Sequence, residues 1–365
     1  MRSCLACAVA ILFCLCWLIG CNREAVPKAT TEEKGESYSS DERAVAAKLK
    51  PVKDPISEEI YKYQVDTRQA YNNRRFDELE RIAEETRDTK AVFGNGSWKI
   101  AQFYQSLKCR EDEPENMWEL HDQIHRAWMT AKPESITARV AYADFLVDYG
   151  WHARGHEYAD KVTPEGWKLF GERLGAARKV FGEAQALPAK DPYLYIVGLS
   201  IALGQNWPES GYNALLGEAH ASEPGYWGYD TTRAISLMPR WYGQPGEWEA
   251  YAEETSARPD GLGPELYARI VASQAGYYEN VFRETQASWP KTREGLEQMR
   301  QKYPNSLVIL NTTAKLATLA DDRPLAREIF DRLGDTYLPE VWGAPERFAH
   351  YRKLAELDKG ESQGK

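Results

Sequence analysis

The sequence RVAYADFLVDYGWHARGHEYADKVTPEGWKLFGERLGAARKV (residues 139–180) contains two amphipathic helices joined by a polar, aromatic segment. In the first helix, apolar residues recur at helical spacing over residues 139–150, and Gly150 is the predicted left-handed stop. The second helix begins with Thr163 as N-cap and Pro164 at its first position. Its apolar stripe consists of Trp167, Phe170, Leu174, Ala177, Val180 and Phe181. Two helices with a short turn between them are the unit of a helical-repeat protein.

The same alternation of helix and short Pro- or Gly-bearing turn continues on both sides of this stretch. The clearest unit spans residues 305–334, and its second helix resembles the B helix of a tetratricopeptide repeat. The strict tetratricopeptide signature is not met along the middle of the chain. The sequence therefore predicts an all-α fold, an α-solenoid or tetratricopeptide-like helical repeat array. One compact all-α domain without solenoid stacking is the alternative.

The N-terminus has the pattern of a bacterial lipoprotein signal. Arg2 precedes an apolar run over residues 5–19, and Leu18-Ile19-Gly20-Cys21 matches the lipobox. Residues 1–20 are the predicted signal peptide, and Cys21 is the predicted site of lipidation. An uncleaved membrane anchor is the alternative, but the apolar run of about 16 residues is shorter than the roughly 20 that span a bilayer.

The predicted domain organisation follows from composition. Residues 21–55 are rich in Glu, Lys, Ser, Thr and Ala and are the predicted disordered linker, with a reach of roughly 30–35 Å. Residues 56–358 are the predicted helical-repeat domain, and residues 359–365 a disordered tail. The membrane is thus a predicted partner through the lipid. Asn22 after the acylated Cys favours the periplasmic face of the outer membrane if the host is Gram-negative.

Composition and motifs exclude several functions. The formal net charge of -9 argues against nucleic acid as a partner, because phosphate binding needs a basic face. Only Cys21 and Cys109 remain after removal of the signal, so no disulfide framework is expected. Cys109 follows Lys108 and precedes Arg110, which could lower the pKa of its thiol, and an inert lone cysteine is the alternative. There is no nucleophile elbow, phosphate-binding loop or Cys-x-x-Cys, so no catalytic residue and no cofactor are predicted.

Several motifs resemble one bacterial family. These are WHARGHEYADKVTPEGWKLFGERL (151–174), EPGYW (223–227), LMPRWYG (237–243), GEW (246–248) and YAR (267–269). Together they resemble the domain of unknown function 4034, over roughly residues 100–280. The resemblance implies a shared fold and brings no assigned reaction.

Arginine beside aromatic residues suggests a binding surface. A guanidinium stacks on aromatic rings and forks onto a carboxylate, so Arg154 between Trp151 and Tyr158 could capture an acidic group. The alternative is an internal ion pair with Asp144 or Asp148 of the preceding helix. Arg240 and Arg269 pose the same choice.

Tryptophan and tyrosine are enriched at binding hot spots, and they also fill the gaps between packed helices. Each aromatic residue of these motifs is therefore either a contact residue or a core residue. The main hypothesis is an interaction module or scaffold that binds a protein partner through one of its segments, or a small acidic ligand. Its predicted surface consists of Trp151, Arg154, Tyr158, Tyr226, Trp227, Arg240 and Trp241. A purely structural envelope spacer is another possibility.

Two histidine pairs suggest the alternative of a hydrolase-like or metal-dependent enzyme on the same scaffold. His121 and His125 are four residues apart, as are His152 and His156, and this spacing can chelate zinc on a helix. A third and a fourth ligand are not evident, so no metal is predicted. His152 and His156 remain the weak alternative, and solvent-facing or core histidines the simpler one.

Overall fold

The computed structural model describes residues 38–155 and 159–357. The predicted signal peptide, Cys21, the first part of the linker, His156, Tyr158 and the C-terminal tail lie outside the described residues. Over the described ranges the chain forms 18 α-helices and two strands of two residues each. The predicted all-α, helical-repeat fold class is confirmed.

The first part of the chain builds the helices around the stretch at residues 139–180. Its elements are α1 (Ser40–Ala46), β1 (Lys50–Pro51), α2 (Pro55–Asn72), α3 (Phe76–Thr89), α4 (Lys99–Gln105), α5 (Glu115–Ala131), α6 (Ile136–Arg154) and α7 (Pro164–Gln185).

The second part continues with helices of similar length. Its elements are α8 (Tyr193–Gly204), α9 (Glu209–Ser222), α10 (Gly228–Ser236), α11 (Glu247–Ser256), α12 (Pro264–Gln274), a 3-10 turn (Ala275–Tyr277), α13 (Val281–Glu284), α14 (Trp289–Lys302), α15 (Leu307–Leu319), α16 (Arg323–Leu333), β2 (Thr336–Tyr337), α17 (Pro339–Trp342) and α18 (Pro345–Glu356).

The pair α6 and α7 shows how local sequence sets the helix ends. The side chain of Thr163 accepts a hydrogen bond from the backbone of Gly166 at 3.0 Å, so the predicted N-cap is confirmed. The predicted stop at Gly150 is wrong, because α6 continues to Arg154 and ends at Gly155, whose φ is 74°. A Cβ on Gly150 would lie 3.5 Å from Phe170. Gly150 therefore lies inside α6 on the side that faces α7, and it does not end the helix.

The predicted linker is too long, because its last residues are folded. Helix α1 begins with a capping box between Ser39 and Glu42. Strand β1 pairs in parallel with β2, with Lys50 opposite Thr336. Ala46 and Leu49 are buried in a cluster whose other buried members belong to the C-terminal part of the chain. Residues 39–52, here called the N-terminal strap, thus join the two ends of the described chain. Composition missed this because the packing partners lie far away in sequence.

The buried apolar side chains of the described ranges form three clusters. The first extends from α2 to the start of α10, the second lies mainly among α10, α11, α12 and α14, and the third holds the C-terminal helices and the strap. No helix of the described ranges has both the length and the apolar character needed to cross a bilayer.

Candidate binding site

The end of α6, the start of α7 and the turn after α10 bring aromatic side chains around one arginine. The guanidinium carbon of Arg154 lies 5.4 Å from the ring centroid of Trp151 and 5.2 Å from that of Trp167. The rings of Trp151 and Trp241 meet edge to face at 6.1 Å. We call Trp151, Arg154, Trp167, Trp241 and Tyr242 the aromatic corner. It contains three of the residues predicted to bind, namely Trp151, Arg154 and Trp241.

The aromatic corner combines a buried cation with exposed rings. Arg154 is only 7% exposed, whereas Trp167 is 40% and Tyr242 is 52% exposed. Burial lowers the pKa of Arg154, and the nearby Tyr242 acts in the opposite direction. Arginine stays protonated at neutral pH even after such a shift. The corner therefore holds a protonated arginine beneath an aromatic outer surface.

Packing and backbone hydrogen bonds hold the corner in place. The ring of Trp151 packs edge to face on Phe170 at 4.7 Å, and Trp167 does so at 5.8 Å. Arg154 donates from Nη1 to the carbonyl oxygen of Gly155 at 3.0 Å. The turn that carries Trp241 is closed by its backbone N–H, which donates to the carbonyl oxygen of Met238 at 2.9 Å.

The predicted internal pair of Arg154 with Asp144 or Asp148 is wrong. Both carboxylates pair with Lys108, whose Nζ lies 3.3 Å from Asp144 Oδ2 and 2.9 Å from Asp148 Oδ2. At 3.6 residues per turn, Arg154 lies roughly 120° around α6 from Asp148. The acids therefore face the segment after α4, while Arg154 faces α7. Burial raises the pKa of Asp144 to about 6, although Lys108 acts to lower it.

The structure does not place Tyr226 and Trp227 in the aromatic corner. Tyr226 is 3% and Trp227 is 6% exposed. Tyr226 packs edge to face on Trp98 at 5.0 Å, and the indole N–H of Trp227 donates to the carbonyl oxygen of Gly96 at 3.1 Å. Both are core residues in this fold, so the single predicted surface divides into an exposed part and a buried part.

The two other arginines have different environments. Arg240 is half-buried, and its guanidinium carbon lies 4.7 Å from the ring centroid of Tyr277. Arg269 is buried and pairs with the equally buried Glu265 at 2.8 Å. For Arg269 the internal pair, and not an open ligand site, is the arrangement observed.

The histidine pairs have structural surroundings. His152 stacks on Trp118 at 4.4 Å, and its Nε2 lies 3.2 Å from Glu115. His121 and His125 are buried on α5. Burial lowers the pKa of His121 to about 4, and it also holds the pKa of His125 well below its usual value. Among the described residues, no three or more His, Cys, Asp or Glu side chains gather in a way that could hold a metal ion.

Sequence reasoning missed one histidine and aspartate pair. Asp230 is buried and accepts hydrogen bonds from His220 Nε2 at 3.1 Å, Tyr251 at 2.6 Å and Thr255 at 2.7 Å. Burial raises the pKa of Asp230, but these hydrogen bonds, led by that from His220, bring it below the usual value. The pair joins α9, α10 and α11, and no periodicity in the sequence indicates it.

At Cys109 the environment agrees with an inert cysteine and not with a thiol activated by its neighbours. Burial raises the pKa of its thiol to about 12, and the neighbouring Glu113 acts in the same direction. The flanking cations do not make this a reactive cysteine, since only the thiolate is nucleophilic.

Comparisons of this chain with models of protein families, with curated proteins and with solved structures found no match. The resemblance to the domain of unknown function 4034 stays a prediction from the motifs quoted above.

Proposed function

We propose that the protein is a lipid-anchored helical-repeat module of the cell envelope that binds a protein partner through the aromatic corner. The observation that carries this proposal is the exposure of Trp167 and Tyr242 beside the buried Arg154. Tryptophan, tyrosine and arginine are the residues that contribute most to protein interfaces. The rings lose little conformational entropy on binding, because they have few rotatable bonds.

Arginines that lie over aromatic rings favour an acidic partner segment, because a guanidinium held on a ring can also bind a carboxylate. Two further arginines of α7 lie over aromatic rings: Arg173 over Tyr149, with its guanidinium carbon 3.2 Å from the centroid, and Arg178 over Trp207 at 4.6 Å. Arg178 is exposed. Arg173 also pairs with Glu115 at 3.2 Å, so Arg178 is the more open of these two cations. Electrostatic complementarity of this kind directs an acidic segment to one face of a protein.

Two exposed rings have a matched control elsewhere in the fold. Tyr61 on α2 is 48% exposed, which is comparable to Trp167 and Tyr242. Each of the three is changed to alanine in a soluble chain of residues 22–365, which retains the strap. Capture of envelope proteins is compared with the thermal melt of each variant. We expect Trp167→Ala and Tyr242→Ala to lose one captured protein that Tyr61→Ala retains, with melts like that of the parent.

The opposite result has a clear meaning. Equal capture by all three variants and the parent would contradict binding at the aromatic corner. That result would favour the alternative that the protein is a structural spacer of the envelope, in which Trp167 and Tyr242 bind no other protein.

The membrane anchor is tested separately. Cys21 supports the anchor through the lipobox, and two or more acyl chains give stable attachment. We expect the full chain to incorporate a clickable palmitate analogue and to fractionate with membranes. Cys21→Ala should remove both properties, whereas Cys109→Ala should leave them unchanged. Labelling that persists in Cys21→Ala would exclude this anchor.

A further inference from the structure

The N-terminal strap buries one side and exposes the other. Glu42, Ala46 and Leu49 are buried, and their spacing of four and three residues places them on the inner side of the strap. The exposed residues around them are Arg43, Ala44, Val45, Ala47, Lys48 and Lys50. The outer side of the strap therefore combines small apolar side chains with basic ones.

The exposed charges of the strap are mainly positive. Arg43, Lys48 and Lys50 are exposed and make no ion pair with any described residue. Within residues 39–52, all of which are described, Asp41 is the one exposed acid. Three cations less one acid leave two positive charges on the outer side, in a chain whose formal net charge is -9. The strap is thus a basic region of an acidic protein.

Helix α18 holds the strap from below. Lys353 Nζ donates to Ser39 Oγ at 3.3 Å, and His350 Nδ1 lies 3.0 Å from Glu42 Oε1. The later residue of α18 thus meets the earlier residue of α1, so the two helices run antiparallel. Their outer sides form one continuous surface.

This surface also exposes two aliphatic side chains. Val45 on α1 is 39% exposed and Leu354 on α18 is 38% exposed. Single exposed aliphatic residues are common, but here they lie beside unpaired cations. We call Arg43, Val45, Lys48, Lys50 and Leu354 the strap face.

The strap is the first described element after the predicted lipidation site. Ser39 follows Cys21 by 18 positions, and a fully extended chain of that length spans at most about 65 Å. A lipid on Cys21 therefore keeps the strap close to the membrane surface. Such a tether raises the effective concentration of the strap face at the lipid, so a weak affinity is enough for contact.

We propose that the strap face docks on the anionic surface of the membrane that holds the anchor. Its cations meet lipid phosphates, and its two aliphatic side chains enter the region between headgroups and acyl chains. Interfacial binding of this kind combines buried apolar area with attraction to anionic lipids. Docking fixes which side of the folded domain faces the membrane. The proposal rests on the lipid anchor of the proposed function for the position of the strap.

Vesicle sedimentation tests the strap face without the anchor. The protein is the unlipidated chain of residues 22–365, which keeps every described residue. The probe is a vesicle of phosphatidylglycerol and phosphatidylcholine in equal amounts, and vesicles of phosphatidylcholine alone are the neutral comparison. We expect the anionic vesicles to bind about 25-fold more tightly at low salt, since each positive charge contributes about fivefold. Salt should release the protein, because the Debye length falls from about 30 Å at 0.01 M to about 8 Å at 0.15 M.

A matched pair of double variants separates the strap face from net charge. Lys48→Ala with Lys50→Ala should weaken binding to the anionic vesicles by about 25-fold. Lys179→Ala with Lys190→Ala removes two exposed lysines from and just after α7, so the net charge changes equally, and it should leave binding unchanged. Thermal melts confirm that both variants fold like the parent. Equal losses in the two double variants would overturn the proposal.

The aliphatic side chains have their own control. Val45→Ser with Leu354→Ser should weaken binding severalfold, whereas Val65→Ser should not, although Val65 on α2 is 45% exposed. Unchanged binding of the first variant would reject insertion of these side chains. A parent chain that does not prefer anionic vesicles at low salt would overturn the proposal as a whole. Because no lipid is attached to the protein here, that result would leave the palmitate labelling of Cys21 untouched, and the two claims can fail separately.

Discussion

Removal of Lys108 tests how the buried charges join the helices around the central pair. Its ammonium group pairs with both Asp144 and Asp148, which are 5% and 6% exposed. Lys108→Met leaves both carboxylates buried without their cation. Breaking a buried ion pair by removing one partner costs about 3–5 kcal/mol. We therefore expect the free energy of unfolding to fall by about that amount at pH 7.5.

The pH dependence of this loss follows from the carboxylates. The pKa of folded Asp144 is raised to about 6, mainly by burial. An acid with a raised pKa in the folded state contributes most stability at low pH, and this contribution is lost as pH rises through that pKa. Without Lys108 the pKa of both acids rises further. The cost of Lys108→Met should therefore be largest at pH 7.5 and small near pH 4, where the acids are protonated.

Urea unfolding followed by tryptophan fluorescence measures the cost at both pH values. Lys62→Met is the matched control, because Lys62 is 77% exposed in its pair with Asp66 and should change stability by less than about 1 kcal/mol. Adding Asp144→Asn and Asp148→Asn to Lys108→Met should recover most of the loss. An equal cost at pH 4 and pH 7.5, or one as small as that of Lys62→Met, would refute the reasoning.

Three other changes test particular contacts. Gly150→Leu should overpack α6 against α7 and lower the free energy of unfolding by about 1–3 kcal/mol. Urea unfolding measures this loss, and an unchanged free energy would show that the contact is loose. Both ring nitrogens of His125 are buried and have no hydrogen-bond partner among the described residues, and burial lowers the pKa of the ring. His125→Phe removes this group. Since such a histidine opposes folding as pH falls below about 6.5, the variant should lose less stability than the parent between pH 6.5 and pH 4, measured by thermal melts. Burial raises the pKa of Glu42, but hydrogen bonds from His350 and Ser39 lower it to about 2. Glu42→Gln should therefore weaken the N-terminal strap by about 1–2 kcal/mol above pH 4.5, seen as faster proteolysis of residues 39–52, and unchanged cleavage would contradict this role.

The helices could be predicted from residues close together in the sequence. The role of Gly150 and the folding of helix α1 could not, because they depend on residues farther away in the sequence. The cap at Thr163 depends on neighbouring atoms only, so sequence was sufficient to find it. A glycine at the end of an apolar pattern is typical of a helix stop. Gly150 instead continues α6, where it faces Phe170 of α7. Helix α1 is short, and it is stabilised by residues about 300 positions away, such as His350. Hence composition favoured a linker at that place.

The candidate site was predictable in part for the same reason. Trp151 and Arg154 lie one turn apart on α6, so their proximity follows from sequence spacing. Tyr226 and Trp227 are aromatic residues beside a glycine, as in the exposed part of the site. They are nevertheless covered by residues 92–98, through Gly96 and Trp98. The spacing places Trp167 in the apolar stripe of α7, yet its side chain is 40% exposed. Exposure depends on the packing of several helices, which spacing within one helix does not specify.

The most direct test of the proposed function is photo-crosslinking in intact cells. A photoreactive phenylalanine analogue replaces Trp167 in the full chain, and the same analogue replaces Tyr61 in the control. The account predicts one discrete crosslinked protein at position 167 that is absent at position 61. Identical crosslinking patterns at both positions, or none at either, would contradict the claim that the aromatic corner binds a protein partner.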